Sequence, residues 1–495
     1  MAAPLTINGQ KTFPTPWPER ILKRDFDVVL GKMLQPEQVK SDETEEPYLH
    51  SANVQWEGVD LSDIKTMWFS PREKKELLLR VGDLVVNEGG DVGRCATWTG
   101  GLDACYFQNA VNRVRPRQKA STRFLYYWLY NIKHAGFIDA IVGKTTIAHL
   151  TAEKLEGVPW PNAPSAEQQR IGAYLDANCA AIDAAAAAKR RQLEILKALR
   201  RAIVHRAVTK GLNPDAVRRA SGVAWFGEIP KHWRCEHLKR FTTRIQAGMT
   251  PPTNTPEYYS DGTIPWFAPA SFNDDIDLRA PRKFINELAR SDGELRVFPD
   301  GTVFLVGIGA TIGKVGLVSA EASCNQQLIG IVCSHRMHSR FLAYQFKVYE
   351  DVIPGIATAT TLPIFDQVKT GYLPTIQPPR EEQESICAYL DAKLAEMKRL
   401  SASIETQIAT LTAYRKSLIH EYVTGMRRVS DADLARSQLF ENTGQLNLEP
   451  SEETGRLKTD HAGGPQGVSD LGEVHKGGGQ FVPSLVFKSA KKAED

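Results

Sequence analysis

Apolar residues in the last third of the chain recur with a period that no strand produces. Ile386, Leu390, Leu394, Met397, Ile404, Ile408, Leu411 and Leu418 are separated by steps of 4, 4, 3, 7, 4, 3 and 7. That is the 3.5-residue repeat of a coiled-coil seam. Ile171, Leu175, Ile182, Leu193, Leu196 and Ile203 follow the same register earlier in the chain. No Gly or Pro interrupts either stretch between Asp176 and Gly211 or between Asp391 and Gly425. About 45 residues rising about 1.5 Å each predict helices roughly 65 Å long. Pro164-Ser165-Ala166-Glu167 reads as the start of the first, with Ser165 as its cap and acidic residues in the first turn. Elsewhere the pattern is mixed. Residues 77–87 and 301–308, rich in Val, Leu and Phe, read as strands, and 124–130 and 341–349 as short helices.

The two helical stretches are copies of each other. Ala173-Tyr174-Leu175-Asp176-Ala177 returns as Ala388-Tyr389-Leu390-Asp391-Ala392, a shift of 215. At that shift residues 164–210 match without a gap at 18 of 47 positions, among them Arg200 with Arg415 and His205 with His420. Pro14-x-x-Trp17 before Leu22-Lys23-Arg24 likewise returns as Pro230-x-x-Trp233 before Leu238-Lys239-Arg240. Between these anchors only a skeleton is shared, such as Gly93-Arg94 with Gly313-Lys314 and Gln108-Asn109 with Asn325-Gln326. Gly93 and Gly313 read as turn residues, the Asn/Gln pairs as groups that satisfy buried backbone, and Trp17 and Trp233 as locks at each domain start.

The expected fold is therefore α+β in two tandem repeats, each a globular domain followed by a long helix, with the two helices pairing as an antiparallel coiled coil. The domains expected are a first globular part over 1–163 and its helix over 164–212. A linker and second globular part over 213–378, a second helix over 379–428 and a disordered tail over 429–495 complete the chain. The alanine run 184–188 has two readings: high helix propensity on an exposed face, or small side chains that let a partner helix approach.

Composition narrows the function classes. In 495 residues, 61 Lys and Arg stand against 58 Asp and Glu, a net charge of +3 that neither announces nor excludes a nucleic-acid partner. The charge is uneven: 0 over 1–163, +5 over 164–212, +1 over 213–378, +1 over 379–428 and −4 in the tail. Seven scattered cysteines without a C-x-x-C fit reduced thiols in a cytoplasmic protein. No apolar stretch approaches the roughly 20 residues of a membrane helix, so no membrane association is expected.

Catalytic and metal motifs fail when tested. Gly143-Lys144-Thr145-Thr146 lacks the glycine a phosphate loop needs five positions before its Gly-Lys, where Ile138 stands. Neither a glycine-rich methyl-donor loop nor an Asn-Pro-Pro-Tyr base clamp is present. Cys333-x-His335-x-x-His338 has metal-ligand residue types, but the first copy has nothing matching and a polar loop explains it better. No catalytic residue and no metal site is expected.

Two divergent domains, each followed by a near-identical helix, resemble the specificity subunit of type I restriction–modification systems over about residues 14–428. The most specific element is Pro378-Pro379-x-Glu381-Glu382-Gln383 running into Ile386-Cys387-Ala388-Tyr389-Leu390-Asp391; the first copy has Ala163-Pro164 in place of the double proline. Ser221-Gly222-Val223-x-Trp225-x-Gly227-Glu228-Ile229-Pro230-x-x-Trp233 is similar to the family's approach to a recognition domain, and Gly309-Ala310-Thr311-Ile312-Gly313 to a feature within it. The resemblance implies a non-catalytic subunit of a site-specific endonuclease and adenine methyltransferase complex. Each globular part would be a target recognition domain for one half of a split duplex DNA target. The helices would be conserved spacers that set the gap and dock two modification (methyltransferase) subunits, which restriction (translocase/nuclease) subunits would join. S-adenosylmethionine, ATP and magnesium would belong to those partners, and this chain would hold no cofactor.

Within that frame, Arg and Lys can grip phosphate, Arg can fork onto guanine, and Gln can pair with adenine. DNA-binding candidates in the first domain are Lys65, Arg72, Lys74, Lys75, Arg94, Lys144, Thr145 and Thr146. In the second they are Arg244, Gln246, Arg279, Arg282, Lys283, Lys314, Thr360 and Thr361. Two alternatives stay open: a non-catalytic coiled-coil scaffold, or the recognition part of a single-chain restriction–modification enzyme.

Overall fold

The computed structural model describes residues 6–7, 10–11, 15–142, 148–350, 352–357 and 363–436. The chain divides into two compact units, Met1–Ala187 with Ile408–Asp495, and Ala188–Gln407. Each unit contains one globular α+β domain and a segment of each long helix.

In the first unit the domain opens with β1 (Glu19–Ile21) and β2 (Phe26–Leu30). β3 (Thr44–Leu49), β4 (Lys65–Phe69), α1 (Pro71–Leu77), β5 (Leu84–Asn87) and β6 (Cys95–Thr97) follow. β7 (Tyr106–Phe107), β8 (Val111–Pro116), α2 (Thr122–His134) and β9 (Pro159–Pro161) complete it. An antiparallel central sheet has the order β6-β5-β8-β2, and a peripheral sheet the order β7-β3-β4 with β7 parallel to β3. β9 pairs with β1 and ties the end of the domain to its start. Every residue of β5 is buried because the strand serves two cores. Leu84 and Val86 face the core that holds α2, whereas Val85 faces the core under the peripheral sheet.

The predicted strand over 77–87 is consequently shorter. Leu77 ends α1, whose cap Ser70 accepts from the Glu73 N–H, and a turn with Gly82 at φ +92° precedes Leu84. The apolar residues before the turn are a helix end and a loop packing inward, which period alone does not separate from strand.

The long helix α3 (Ser165–Lys210) follows. Its first turn corrects the capping expectation: the Ser165 hydroxyl donates to the Lys119 carbonyl at 2.6 Å, and the Gln168 N–H reaches the Pro164 carbonyl. The serine thus ties the helix to its domain instead of capping it.

The second domain repeats the topology. β10 (Arg234–His237), β11 (Thr242–Ala247), β12 (Ile264–Phe267), β13 (Lys283–Ile285) and β14 (Val297–Phe298) come first. β15 (Val303–Val306), β16 (Val315–Leu317), β17 (Ala322–Cys324), β18 (Leu328–Cys333), α4 (Ser339–Tyr349) and β19 (Pro374–Gln377) follow. The last element is the long helix α5 (Arg380–Val423). The central sheet is β11-β18-β15-β16 and the peripheral sheet β13-β12-β17-β14, again with one parallel pair, β12 with β17. β10 and β19 close the domain as β1 and β9 do. β15 divides its side chains as β5 does, Val303 and Leu305 to one core, Phe304 and Val306 to the other.

Within each unit the two helix segments run antiparallel. In the first, Glu167, Arg170, Tyr174 and Asp183 of α3 meet Arg428, Asp431, Tyr422 and Arg415 in that order. In the second, Val204, Ala207 and Val208 of α3 share a core with Ile386 and Leu390 of α5. Ala186, from the alanine run, is buried in the cluster with Leu411 and Leu418, whereas Ala184 is exposed.

The start of the segment read as a disordered tail is structured. Val429 is buried, Arg170 bonds its carbonyl and the Asp431 carboxylate, and 431–436 is helical. Among the described residues no helix is long and apolar enough to cross a membrane.

Candidate nucleic-acid interface

Each domain meets the start of its own long helix through the same set of polar groups. In the first unit, Gln168 accepts the Ser121 N–H at 2.8 Å and donates to the Ala163 carbonyl at 2.7 Å. Two turns on, the Asp176 carboxylate accepts from the Arg123 Nε and, at 2.7 Å, from the Tyr127 hydroxyl. In the second, Gln383 accepts the His338 N–H at 2.7 Å and donates to the Pro378 carbonyl at 2.8 Å. Asp391 accepts from Arg340 Nη1 at 3.2 Å and from the Tyr344 hydroxyl at 2.5 Å. Burial pushes both tyrosine hydroxyls well above their ordinary range, with Cys179 and then Asp176 adding to it at Tyr127 and Asp391 at Tyr344, so they remain donors.

These anchors were missed from the sequence although a signal exists. Arg123-Phe124-Leu125-x-Tyr127 returns as Arg340-Phe341-Leu342-x-Tyr344 at a shift of 217, two residues out of step with the helices. Far ends are matched too. Gly211, at φ +70°, lies against Trp233, and Gly425, at φ +75°, against Trp17. Both tryptophans are buried, so each domain start is packed by the end of a long helix.

The predicted DNA contacts separate into two groups. Lys65 is exposed at the start of β4, an edge strand of the peripheral sheet, and Arg72 and Lys75 are exposed on α1, the helix that follows it. Arg279, Arg282 and Lys283 are exposed on and before β13, the edge strand in the equivalent place of the second domain. Lys65 and Lys283 thus stand on equivalent edge strands, with the other four exposed in the segments that adjoin them in sequence. Arg72 is held by Glu76 one turn on at 2.9 Å and Lys283 lies 4.6 Å from the Tyr259 ring centre, so both are oriented yet open to solvent.

The second group is drawn inward. Lys74 is bound to Glu46, which raises its pKa. Arg94 reaches the Ser51 carbonyl at 3.4 Å and Asp91 at 3.7 Å. Arg244 donates to the Val297 carbonyl at 2.8 Å and lies 4.4 Å from the Phe298 ring centre, joining central and peripheral sheets. Burial, with Arg296 alongside, lowers its pKa. Gln246 and Lys314 are half-buried. Gly93 and Gly313 stand at φ +81° and +90° in equivalent turns. Lys144, Thr145, Thr146, Thr360 and Thr361 lie outside the described residues.

Of the seam residues, Ile171, Leu175, Ile182, Ile386, Leu390, Met397, Ile404, Leu411 and Leu418 are buried. Leu193, Leu196, Ile203 and Ile408 are half-buried. At the far end of α3 the buried face has moved to Val204, Ala207 and Val208, because that end packs into the second domain as well as against a helix. Among the described residues no three His, Cys, Asp or Glu side chains are grouped to hold a metal ion.

A family model for the type I restriction modification DNA specificity domain matches residues 27–194 and again 237–409. A Haemophilus influenzae protein named as a type I restriction enzyme specificity subunit is 25% identical over 284 residues, covering 57% of this chain and 67% of its own. A structure solved in a study of complex assembly and conformational transition of a type I R-M system aligns with TM-score 0.66 at 17% identity. It covers 83% of this chain and 98% of its own. The HsdS subunit from Thermoanaerobacter tengcongensis aligns over the same shares at 18% identity with TM-score 0.48. With two matched copies of the domain, this chain belongs to the type I restriction–modification DNA specificity family, as a specificity subunit.

Proposed function

We propose that each domain reads one half of a split duplex DNA target and that the long helices hold the distance between the halves. What supports this reading is the matched edge of the two peripheral sheets. Its edge strand begins with Lys65 in one domain, with Arg72 and Lys75 exposed on the helix after it, and with Lys283 in the other, with Arg279 and Arg282 exposed just before it. Around equivalent edge strands the two domains place different exposed cations, as two readers of unlike half-sites require. The ammonium groups would grip phosphate and position the domain, and the guanidinium groups would read guanine edges.

Catalysis would belong to partners. Ile195 and Leu199 on α3 are 66% and 47% exposed, an apolar face suited to a helix of a modification subunit. Two modification subunits would dock on the helices and restriction subunits would join them. S-adenosylmethionine, ATP and magnesium would act in those partners, in the cytoplasm.

Methylation mapping in cells that co-express the chain with its modification subunit tests the reading. A split motif is expected. Arg282→Ala should relax one half-site only, at about 1–3 kcal/mol if the contact is to a base. Lys75→Ala should weaken binding uniformly and reduce the salt slope by about one. An unsplit motif overturns the proposal.

A further inference from the structure

The duplicated polar junction between domain and helix is more than the fold needs. Phe124 and Leu125 in the first unit, and Phe341 and Leu342 in the second, already bury each domain's helix in a core shared with the long helix. Apolar contact of that kind is non-directional and tolerates sliding. A one-turn slip along the long helix would move a domain about 5.4 Å, more than one base-pair step of about 3.4 Å. A directional, charge-assisted bond selects one register from the several that apolar packing allows.

That bond is present twice in the same form. Asp176 and Asp391 occupy the twelfth position of their helices, eight residues after Gln168 and Gln383. On the domain side, Ser121, Arg123 and Tyr127 match His338, Arg340 and Tyr344 in spacing and in partner. The surroundings differ, so the shared part stands out. Gly172 leaves room for the Arg123 stem, with Cγ 3.4 Å from where its Cβ would be, whereas Cys387 fills the equivalent place. Arg123 lies 4.4 Å and 4.9 Å from the ring centres of Tyr126 and Tyr127. Arg340 instead takes a second carboxylate, Asp277, at 2.7 Å.

We infer that Arg123, Tyr127 and Asp176 in the first unit, and Arg340, Tyr344 and Asp391 in the second, are positioning residues that fix the register of each recognition domain on its helix and so hold the gap between half-sites. This rests on the split-target reading. These residues touch no base; they decide where the base-reading edge stands.

The test uses the full chain in complex with its modification subunit. Its substrates are synthetic duplexes carrying the mapped target with the native gap and with gaps one base pair shorter and longer. The double variant Arg123→Met, Tyr127→Phe is expected to lower the preference for the native gap about tenfold. Preference among half-site sequences should not change, and Arg123→Lys should restore most of the gap preference. If the double variant yields no folded complex, Asp176→Asn, which keeps an acceptor for both donors but removes the charge, is measured in its place and is expected to lower the preference about threefold.

A purely structural role would lower methylation equally at all three gaps and leave their ratio unchanged; that result overturns the inference. A wild-type complex indifferent to the gap overturns the split-target reading and this inference with it. A wild-type complex that discriminates, beside a variant that discriminates equally, overturns the inference alone.

Discussion

One loop is fastened by different chemistry in the two domains. Between β3 and β4 of the first, Trp56 packs on α2, with ring centres 5.0 Å from Tyr130 and 6.1 Å from Tyr126, and its carbonyl accepts the Tyr126 hydroxyl at 2.6 Å. Between β12 and β13 of the second, the loop is held through its aspartates. Arg200 donates to the Asp274 carbonyl at 2.7 Å, Lys398 binds Asp275 at 2.7 Å, and Arg340 binds Asp277 at 2.7 Å. Strand order and direction are the same around both loops. The backbone plan is therefore set by what both domains share, the double-sided burial of β5 and β15 and the junction with the helix, while the loops can change what fastens them.

The largest test of that equivalence is at a pair of glycines. Gly31 donates its N–H to the Val111 carbonyl, and Gly248 donates to the Leu328 carbonyl, each just after the outer strand of a central sheet. A Cβ at Gly31 would overlap the Phe107 and Gln108 carbonyls, and one at Gly248 the Cys324 and Asn325 carbonyls. Backbone cannot move aside as a side chain can. Gly31→Ala and Gly248→Ala should each cost about 3 kcal/mol in thermal unfolding of the full chain. A large loss from one and none from the other would break the equivalence.

Such pairs also show what was legible beforehand. The helices were, because a 3.5-residue seam and the absence of Gly and Pro between Asp176 and Gly211 and between Asp391 and Gly425 leave little else to form. The central strands were legible in type but not in extent, since double-sided burial makes a strand, a helix end and an inward loop alike. The junction was missed because Arg123 and Arg340 are offset by 217 instead of 215, so a fixed shift slides past them. Among the cations, the sequence does not separate Arg282, exposed at an edge, from Arg244, turned back onto Phe298. That choice depends on which neighbour leaves space: Gly330 does, because a Cβ there would collide with the Phe298 ring.

A smaller effect should distinguish the two tryptophan locks. Trp233 Nε1 donates to the Glu382 carboxylate at 2.9 Å, and His232 reaches the same carboxylate at 2.6 Å. In the first unit the corresponding atoms, Trp17 Nε1 and Glu167 Oε1, are buried without a hydrogen-bond partner among the described residues, and Glu167 forms a 3.5 Å ion pair with Arg428. Glu382→Ala should therefore cost about 1–2 kcal/mol, since it strands a buried indole N–H. Glu167→Ala should cost a few tenths, about 0.5 kcal/mol at most. Equal losses in denaturant unfolding would mean that both tryptophans use their glutamate in solution.

The smallest effect belongs to the loop between β12 and β13 and is read through pH. The hydrogen bond from Lys398 holds the Asp275 carboxyl below its ordinary range, against a smaller opposing effect of burial. A folded-state pKa below the unfolded one means that the unfolded chain binds the proton more readily. The contribution is thus fully present above the unfolded value of about 4 and is lost as pH falls through the lower folded value. Lys398 is largely exposed, so solvent screening limits the pair to about 0.3 kcal/mol. Asp275→Asn should be less stable than the parent by that amount at neutral pH, with the difference closing toward about pH 3. Trp56→Phe, at the equivalent loop, replaces no titrating group, so its deficit should not change over the same range. A deficit in Asp275→Asn that persisted unchanged into acid would show that the loop is held by the shape of its backbone and not by the ion pair between Asp275 and Lys398.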